Sequence, residues 1–261
     1  LTLNLHTYQE KNQEQKFDEI VKAIFFYSPD FICFQECAQH KNSVLINNSK
    51  NIRIDNMAEI ICRKLKCYNL NYLYFWDWAH YGWNVWEEGI AILSKFKFKL
   101  TDSIYVSKSE SVHDTFGSRR ALYACVNHPE FGNINIFCVH LSWESAGLLY
   151  QIETLNSFIN KNTENNLYSS IICGDFNDEP KGKGYKRFIE LGYIDSYSEA
   201  NPDKQNTVTN PPDKRIDYIF FKSSSKQILK IESSIILFDD KNFKKVSDHY
   251  GVLTHFQPIF L

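Results

Sequence analysis

No apolar run in the 261-residue sequence approaches the roughly 20 residues needed to cross a bilayer, which excludes a membrane-spanning helix and leaves only peripheral membrane contact open. Charge of one sign is also missing. Lys and Arg number 29 against 31 Asp and Glu, a net −2, so no generally basic surface coats a polyanion, although a local basic cleft is allowed. There is no CxxC pair, and the seven Cys, at 33, 37, 62, 67, 125, 138 and 173, are irregularly spaced. That pattern excludes a regular disulfide framework and favours buried free thiols in a reducing, cytoplasmic setting. The CxxxC spacing of Cys33 and Cys37 is the one cysteine pair that could serve zinc. The first residue is Leu1 rather than Met, so a secreted protein with its leader removed stays open. Internal repeats and long linkers are absent. Polar loops are expected at 160–166 and 201–214, and neither is long enough to separate domains, so residues 1–261 read as one domain.

What is present is core material: 43% apolar and 15% aromatic residues, enough to exclude disorder for most of the chain. Short apolar runs rich in Ile, Val, Phe and Tyr predict strands at Phe31–Gln35, Ile90–Ser94, Ala121–Val126, Ile134–Val139, Ser170–Cys173, Ile216–Phe221, Ile228–Leu237 and Val252–Phe256. Helical stripes occur at Phe17, Ile20, Val21 and Ile24, at Met57, Ile61 and Leu65, and at Leu148, Ile152, Leu155 and Ile159. Strands outnumber helices in a mixed order, which predicts packed sheets with helices outside, an α+β or layered α/β arrangement.

Polar residues end or interrupt these apolar runs in a recurring way. Asn4 sits in the first run, Glu36 follows Phe31–Gln35, and His140 follows Ile134–Val139. Strand ends are where clefts gather their chemistry. Asp175 and Asn177 follow Ile171–Gly174, and residues two apart in an extended chain face one side. Asp217 abuts an apolar β-run, where an unpaired carboxylate is costly, and His249 beside Asp248 offers it a partner. Oxygen-rich donors with His and no Cys suit a hard cation, Mg²⁺ or Mn²⁺, and the work best matched to such a site is phosphate-ester hydrolysis.

Gln35-Glu36, Glu88-Gly89-Ile-Ala-Ile-Leu-Ser94, Val139-His140-Leu141, Gly174-Asp175-Phe176-Asn177, Arg215-Ile-Asp217-Tyr-Ile-Phe220 and Ser247-Asp248-His249, in this order, resemble the endonuclease/exonuclease/phosphatase superfamily. The resemblance runs from Asn4 to about Phe256. It implies a four-layer α/β/β/α sandwich of two mostly antiparallel sheets with outer helices. It also implies roles. Asn4 and Glu36 hold the cation, with Asp248 supporting it. Asp175 and Asn177 position or activate water. His249, fixed by Asp217, acts on the phosphate, and His140 donates to a phosphate oxygen. Arg119 or Arg120 contacts phosphate, at most one of the adjacent pair facing the cleft, and Glu88 lies at its edge.

Four of the five Trp fall between residues 76 and 86, interrupted by Asp77, His80, Gly82 and Asn84. Rings beside hydrogen-bonding groups suit a sugar face, and the same composition also serves a membrane interface or base stacking. The motifs around Gln9-Glu10, Glu87-Glu88-Gly89 and His140-Leu-Ser-Trp143 are similar to the bacterial branch containing maltose 6'-phosphate phosphatases. Trp83 and Trp143 are therefore expected to touch substrate. The expectation is a Mg²⁺-dependent hydrolase of a small phosphomonoester such as a sugar phosphate. A phosphodiesterase, either nuclease or sphingomyelinase-like, is the alternative, and nucleic acid is disfavoured by the charge. A silent binding module with the same fold is a third reading, opposed by the intact set of acids and histidines. Lys181-Gly-Lys-Gly184 lacks the spacing of a phosphate loop and reads as a surface turn. Oligomeric state is left open.

Overall fold

The computed structural model describes residues 1–47, 49–108, 117–163, 167–204 and 207–261. The expected loops at 160–166 and 201–214 lie partly outside these residues. One sheet contains β1 (Thr2–Asn4), β2 (Phe31–His40), β3 (Leu73–Gly82), β4 (Trp86–Ser94), β11 (Gln227–Leu237) and β12 (Gly251–Phe260), in the order β11-β12-β1-β2-β4-β3. The other contains β5 (Phe98–Tyr105), β6 (Arg120–His128), β7 (Gly132–His140), β8 (Ser170–Asp175), β9 (Ile194–Asp195) and β10 (Asp217–Lys222), in the order β5-β6-β7-β8-β10-β9. All pairings are antiparallel except β1–β2 and β7–β8, which lie centrally in their sheets.

Strand alternation builds the layers. On β7, Ile136 and Cys138 turn to the other sheet, where they meet Cys33, Ile90 and Ile92. Phe137 and Val139, one residue out of phase, turn outward to a helix. Both faces are covered, which is why such strands read as continuous apolar runs. Helix α1 (Gln13–Tyr27) and α2 (Met57–Lys66) lay the first two predicted stripes against the first sheet. Helices α3 (Leu148–Asn162) and α4 (Lys183–Glu190) cover the second, α3 through the third stripe and α4 through Phe188. A short α5 (Ser196–Ala200) completes the set. The result is the four-layer α/β/β/α arrangement, and no helix among the described residues is long and apolar enough to cross a membrane.

Two expectations are corrected. Cys33 and Cys37 pack in different layers, Cys33 between the sheets and Cys37 under the helices, so the pair cannot converge on one zinc ion. Lys181–Gly184 is not only a turn, because Gly182 caps α4 and Lys183 and Gly184 form its first turn. The helix start packs tightly on Asp178, whose carboxylate a Cβ on either Gly182 or Gly184 would approach within 3 Å. Six of the seven thiols are buried and free, and Cys67 is exposed.

Candidate active site

The two central parallel pairs point their carboxyl ends the same way, and there the polar residues converge. Asn4 is the last residue of β1. Glu36 lies where the β2–β4 register slips between Phe34 and Cys37, with φ 47°. An extra residue at a bulge re-aims its side chain. The last register pair of β7 and β8 is His140 and Asp175, and Asp175 also pairs in register with Asp217 at the start of β10. Gly174 permits this approach, since a Cβ there would lie 2.0 Å from the Val139 carbonyl oxygen.

Hydrogen bonds tie the set together. Asn4 donates its amide to Glu36 Oε1 (2.8 Å) and Asp175 Oδ2 (3.2 Å). Its own oxygen accepts from the His6 backbone (3.0 Å). The expected oxygen donor is therefore a bridge between two carboxylates, because the left-handed turn at His6, Thr7 and Tyr8 claims its carbonyl. Asp175 Oδ1 accepts from the Asn177 backbone (2.9 Å), and the Asn177 amide donates to the Leu141 carbonyl (2.8 Å). His249 Nδ1 lies 2.9 Å from Asp217 Oδ2, while its Nε2 lies 3.9 Å from Asp175 Oδ2. His140 Nε2 is 3.7 Å from that same oxygen. Thr209 clasps the dyad's two segments. Its hydroxyl accepts from the Ile216 and Asp217 backbones (3.0 and 3.1 Å), and its carbonyl accepts from Tyr250 (2.6 Å).

The electrostatics follow from crowded acids. Burial, then the Glu88 charge, pushes the Glu36 carboxyl up to about 7. Burial and Asp217 push Asp175 up to about 7. Burial works against a charged His249, yet the Asp217 carboxylate outweighs it and holds the ring at about 10. His140 goes the other way, well below its ordinary value, through burial and the positive charges of Arg119, His80 and His249. One ligand atom each from Glu36, His140 and Asp175 lies within 4.8 Å of the others. Acids raised by neighbouring carboxylates mark a site short of positive charge, and this donor set fits a hard divalent cation.

Other candidates divide. Arg119 is buried and lines a small cavity together with His80, Glu88, Arg120 and His140. The Arg120 guanidinium does not face the cleft. It donates to the Trp78 carbonyl (2.8 Å) and Ser103 Oγ (2.7 Å), pairs with Asp77 (2.9 Å) and covers the Tyr105 ring. These partners take up its guanidinium, although the residue borders the same small cavity as Arg119. Asp248 also departs from expectation. Its carboxylate groups with His6 and Glu10 rather than with Glu36, His6 Nδ1 being 3.5 Å away. Trp83, in the β3–β4 hairpin turn, and Trp143, after β7, are 55% and 43% exposed, and Lys214 lies over the Trp143 ring. Trp76 is buried, and Trp86 stacks on Tyr8 at 4.7 Å, so part of the aromatic run is core.

The sequence reading missed Thr7 and Thr209 and misplaced His80. His80 is 1% exposed and lies 3.2 Å from Glu88, so it is no sugar-facing donor. The Thr7 hydroxyl donates to Glu88 Oε2 (2.7 Å). A separate cavity of about 350 Å³ is lined by Leu1, Phe31, Phe131 and Phe256 among others, and includes none of these groups.

Comparison with known proteins agrees with this architecture. Among curated proteins nothing matches the sequence. An endonuclease/exonuclease/phosphatase family protein from Leptotrichia buccalis C-1013-b superposes with TM-score 0.86 at 26% identity, covering 98% of each chain. A Bacteroides thetaiotaomicron mannosyl-6-phosphatase gives TM-score 0.72 at 17% identity, over 99% of this chain and 98% of its own. The human Nocturnin catalytic domain gives 0.69 at 20% identity, over 94% and 87%. A sequence model of the Endonuclease/Exonuclease/phosphatase family matches residues 1–249, and the chain belongs to that family.

Proposed function

We propose that the chain is a single catalytic domain that hydrolyses a small phosphomonoester, a sugar phosphate or similar polar phosphate, with Mg²⁺ as cofactor and Mn²⁺ as a substitute. One observation carries the reading. Glu36, Asp175, His140 and the Asp217–His249 dyad meet at one end of both sheets, within hydrogen-bonding and ion-pairing reach of one another. Glu36 would hold the cation. Asn4 keeps Glu36 and Asp175 in place and can offer its oxygen only by turning its amide over. When bound, the cation supplies positive charge against the phosphoryl oxygens and the departing alkoxide.

The protein groups divide the proton work. His249, held charged by Asp217, is an electrostatic clamp and proton donor at neutral pH. Asp175, with its carboxyl near neutrality, is the base that takes a proton from the attacking water. Asn177 helps to orient that water. His140, kept neutral, donates one N–H to a phosphate oxygen, and Arg119 adds charge beside it. The exposed rings of Trp83 and Trp143 would offer apolar faces to a sugar. The mannosyl-6-phosphatase among the structural neighbours supports the choice of a sugar ester.

The test is phosphate release in Mg²⁺ from a panel of sugar phosphates, inositol phosphates, sphingomyelin and plasmid DNA. Release from sugar phosphates with the plasmid intact supports the reading. Nicked plasmid or freed phosphocholine moves the assignment to a phosphodiesterase, and no turnover of any ester moves it to a silent binding module.

A further inference from the structure

Glu36 uses its two carboxylate oxygens differently. Oε1 accepts the Asn4 amide at 2.8 Å, whereas the only described side-chain donor near Oε2 is the Thr7 hydroxyl, at 3.4 Å. A hydroxyl has one proton to give. Thr7 stands 2.7 Å from Glu88 Oε2, much nearer, so its proton goes there. Glu88 is well prepared to take it. Its other oxygen lies 3.2 Å from His80 Nε2, and His80 Nδ1 lies 3.0 Å from the Ser118 carbonyl. The ring is thus fixed through Nδ1, with its Nε2 edge turned to the Glu88 carboxylate. Burial opposes charge on Glu88, but His80 and Thr7 outweigh it and its carboxyl falls below the ordinary value. Thr7, His80 and Glu88 are all buried, so bulk water does not compete for this proton.

We infer that Glu88, held in place beside His80, is the acceptor that draws the Thr7 hydroxyl proton away from Glu36 and so leaves Glu36 Oε2 open as a cation ligand. Glu88, His80 and Thr7 are positioning residues acting through Glu36. The inference rests on the reading above that Glu36 holds a divalent cation. It also explains the local backbone. Gly89 follows Glu88 and packs against the β3 main chain so closely that a Cβ would lie 2.3 Å from the Asp77 carbonyl oxygen. That closeness holds Glu88 against the strand that carries His80.

The prediction concerns the direction of a hydrogen bond. In Glu88→Gln the new amide can donate to Thr7, whose own proton then turns toward Glu36. Mn²⁺ affinity of the cation-free protein, measured by titration calorimetry, should fall about tenfold or more, the usual scale for a lost supporting partner. Thr7→Val deletes the donor without aiming one at Glu36 and should weaken binding less. Combined with Glu88→Gln, it should restore affinity to the level of Thr7→Val alone. Melting curves of each variant separate lost fold from lost binding. Should Glu88→Gln not fold, Glu88→Ala against Glu88→Asp repeats the comparison, the Asp variant keeping an acceptor and binding more tightly. Equal affinity in Glu88→Gln and wild type overturns the inference, as does a double variant weaker than Glu88→Gln. If wild type binds no Mn²⁺, the reading of Glu36 as a cation ligand falls first and takes this one with it.

Discussion

At the scale of single residues, the site is a set of acids and imidazoles whose neighbours divide their work. His249→Ala and Asp175→Ala should each lower kcat on the order of 100-fold, the size expected for a lost proton-transfer group. Steady-state kinetics of phosphate release checks both, and near-normal turnover in either removes that residue's role. Asp217→Asn should bring the His249 ring down from about 10 toward its ordinary value, visible as an NMR titration of the cation-free protein. The sign for stability follows. A histidine raised in the fold stabilises fully below about 6.5 and loses that contribution as pH climbs through 10. The stability gap between wild type and Asp217→Asn should therefore be wide at pH 6 and narrow at pH 10. His140 and Asp175 stood out as polar residues ending apolar strands, Glu36 as one following an apolar run, and Asp217 as a carboxylate beside such a run that needs a partner, which His249 supplies. Thr7 and Thr209 did not, since a threonine in a polar segment looks like any turn residue until its hydroxyl partners are known.

Elements place these groups through close approaches and irregularities. Gly174 is the plainest case. Gly174→Ala would drive a methyl into the Val139 carbonyl and wedge β7 from β8. A loss of about 3 kcal/mol, seen in denaturant unfolding, is expected from such overpacking. Thr209→Val keeps the shape but removes the acceptor shared by Ile216 and Asp217. It should lower kcat more than it changes KM, and Thr209→Ser should recover most of the loss. A Val variant with normal kcat would show that the dyad needs no clasp. Strands with both faces covered were readable as apolar runs. The aromatic stretch at β3 was not read as a strand, because an edge strand mixes rings with polar residues and its alternation is broken by the slip between Trp78 and His80. Helix α4 has only Gly184 and Phe188 buried, too thin a stripe to register as periodic.

For the whole molecule, the acids at the cleft set how stability depends on pH and cation. Glu36 and Asp175 have carboxyls raised to about 7, so the folded chain holds protons that the unfolded chain gives up. Without a cation, stability should therefore fall as pH rises from about 4 to 7. Mg²⁺ or Mn²⁺ should reverse much of that fall, adding about 2.7 kcal/mol at 100 times its Kd. Melting temperatures with EDTA and with Mn²⁺, at pH 5 and pH 8, test this. An equal or smaller gain at pH 8 would deny that the cation relieves these acids. The layered architecture was legible as a class from the count and order of strands. The strand order was not, because β1 and β12 become neighbours only through pairing across almost the entire chain.

That pairing has a consequence for biosynthesis. β1 is flanked by β2 on one side and β12 on the other, and His249 lies two residues before β12. A ribosome releases the first strand long before the last one exists, so the nascent chain waits with one flank of β1 bare. A premature stop just before Asp248 would yield a chain that lacks both the closing strand and its imidazole. Such fragments should leave β1 with an unpaired edge and be prone to capture by chaperones.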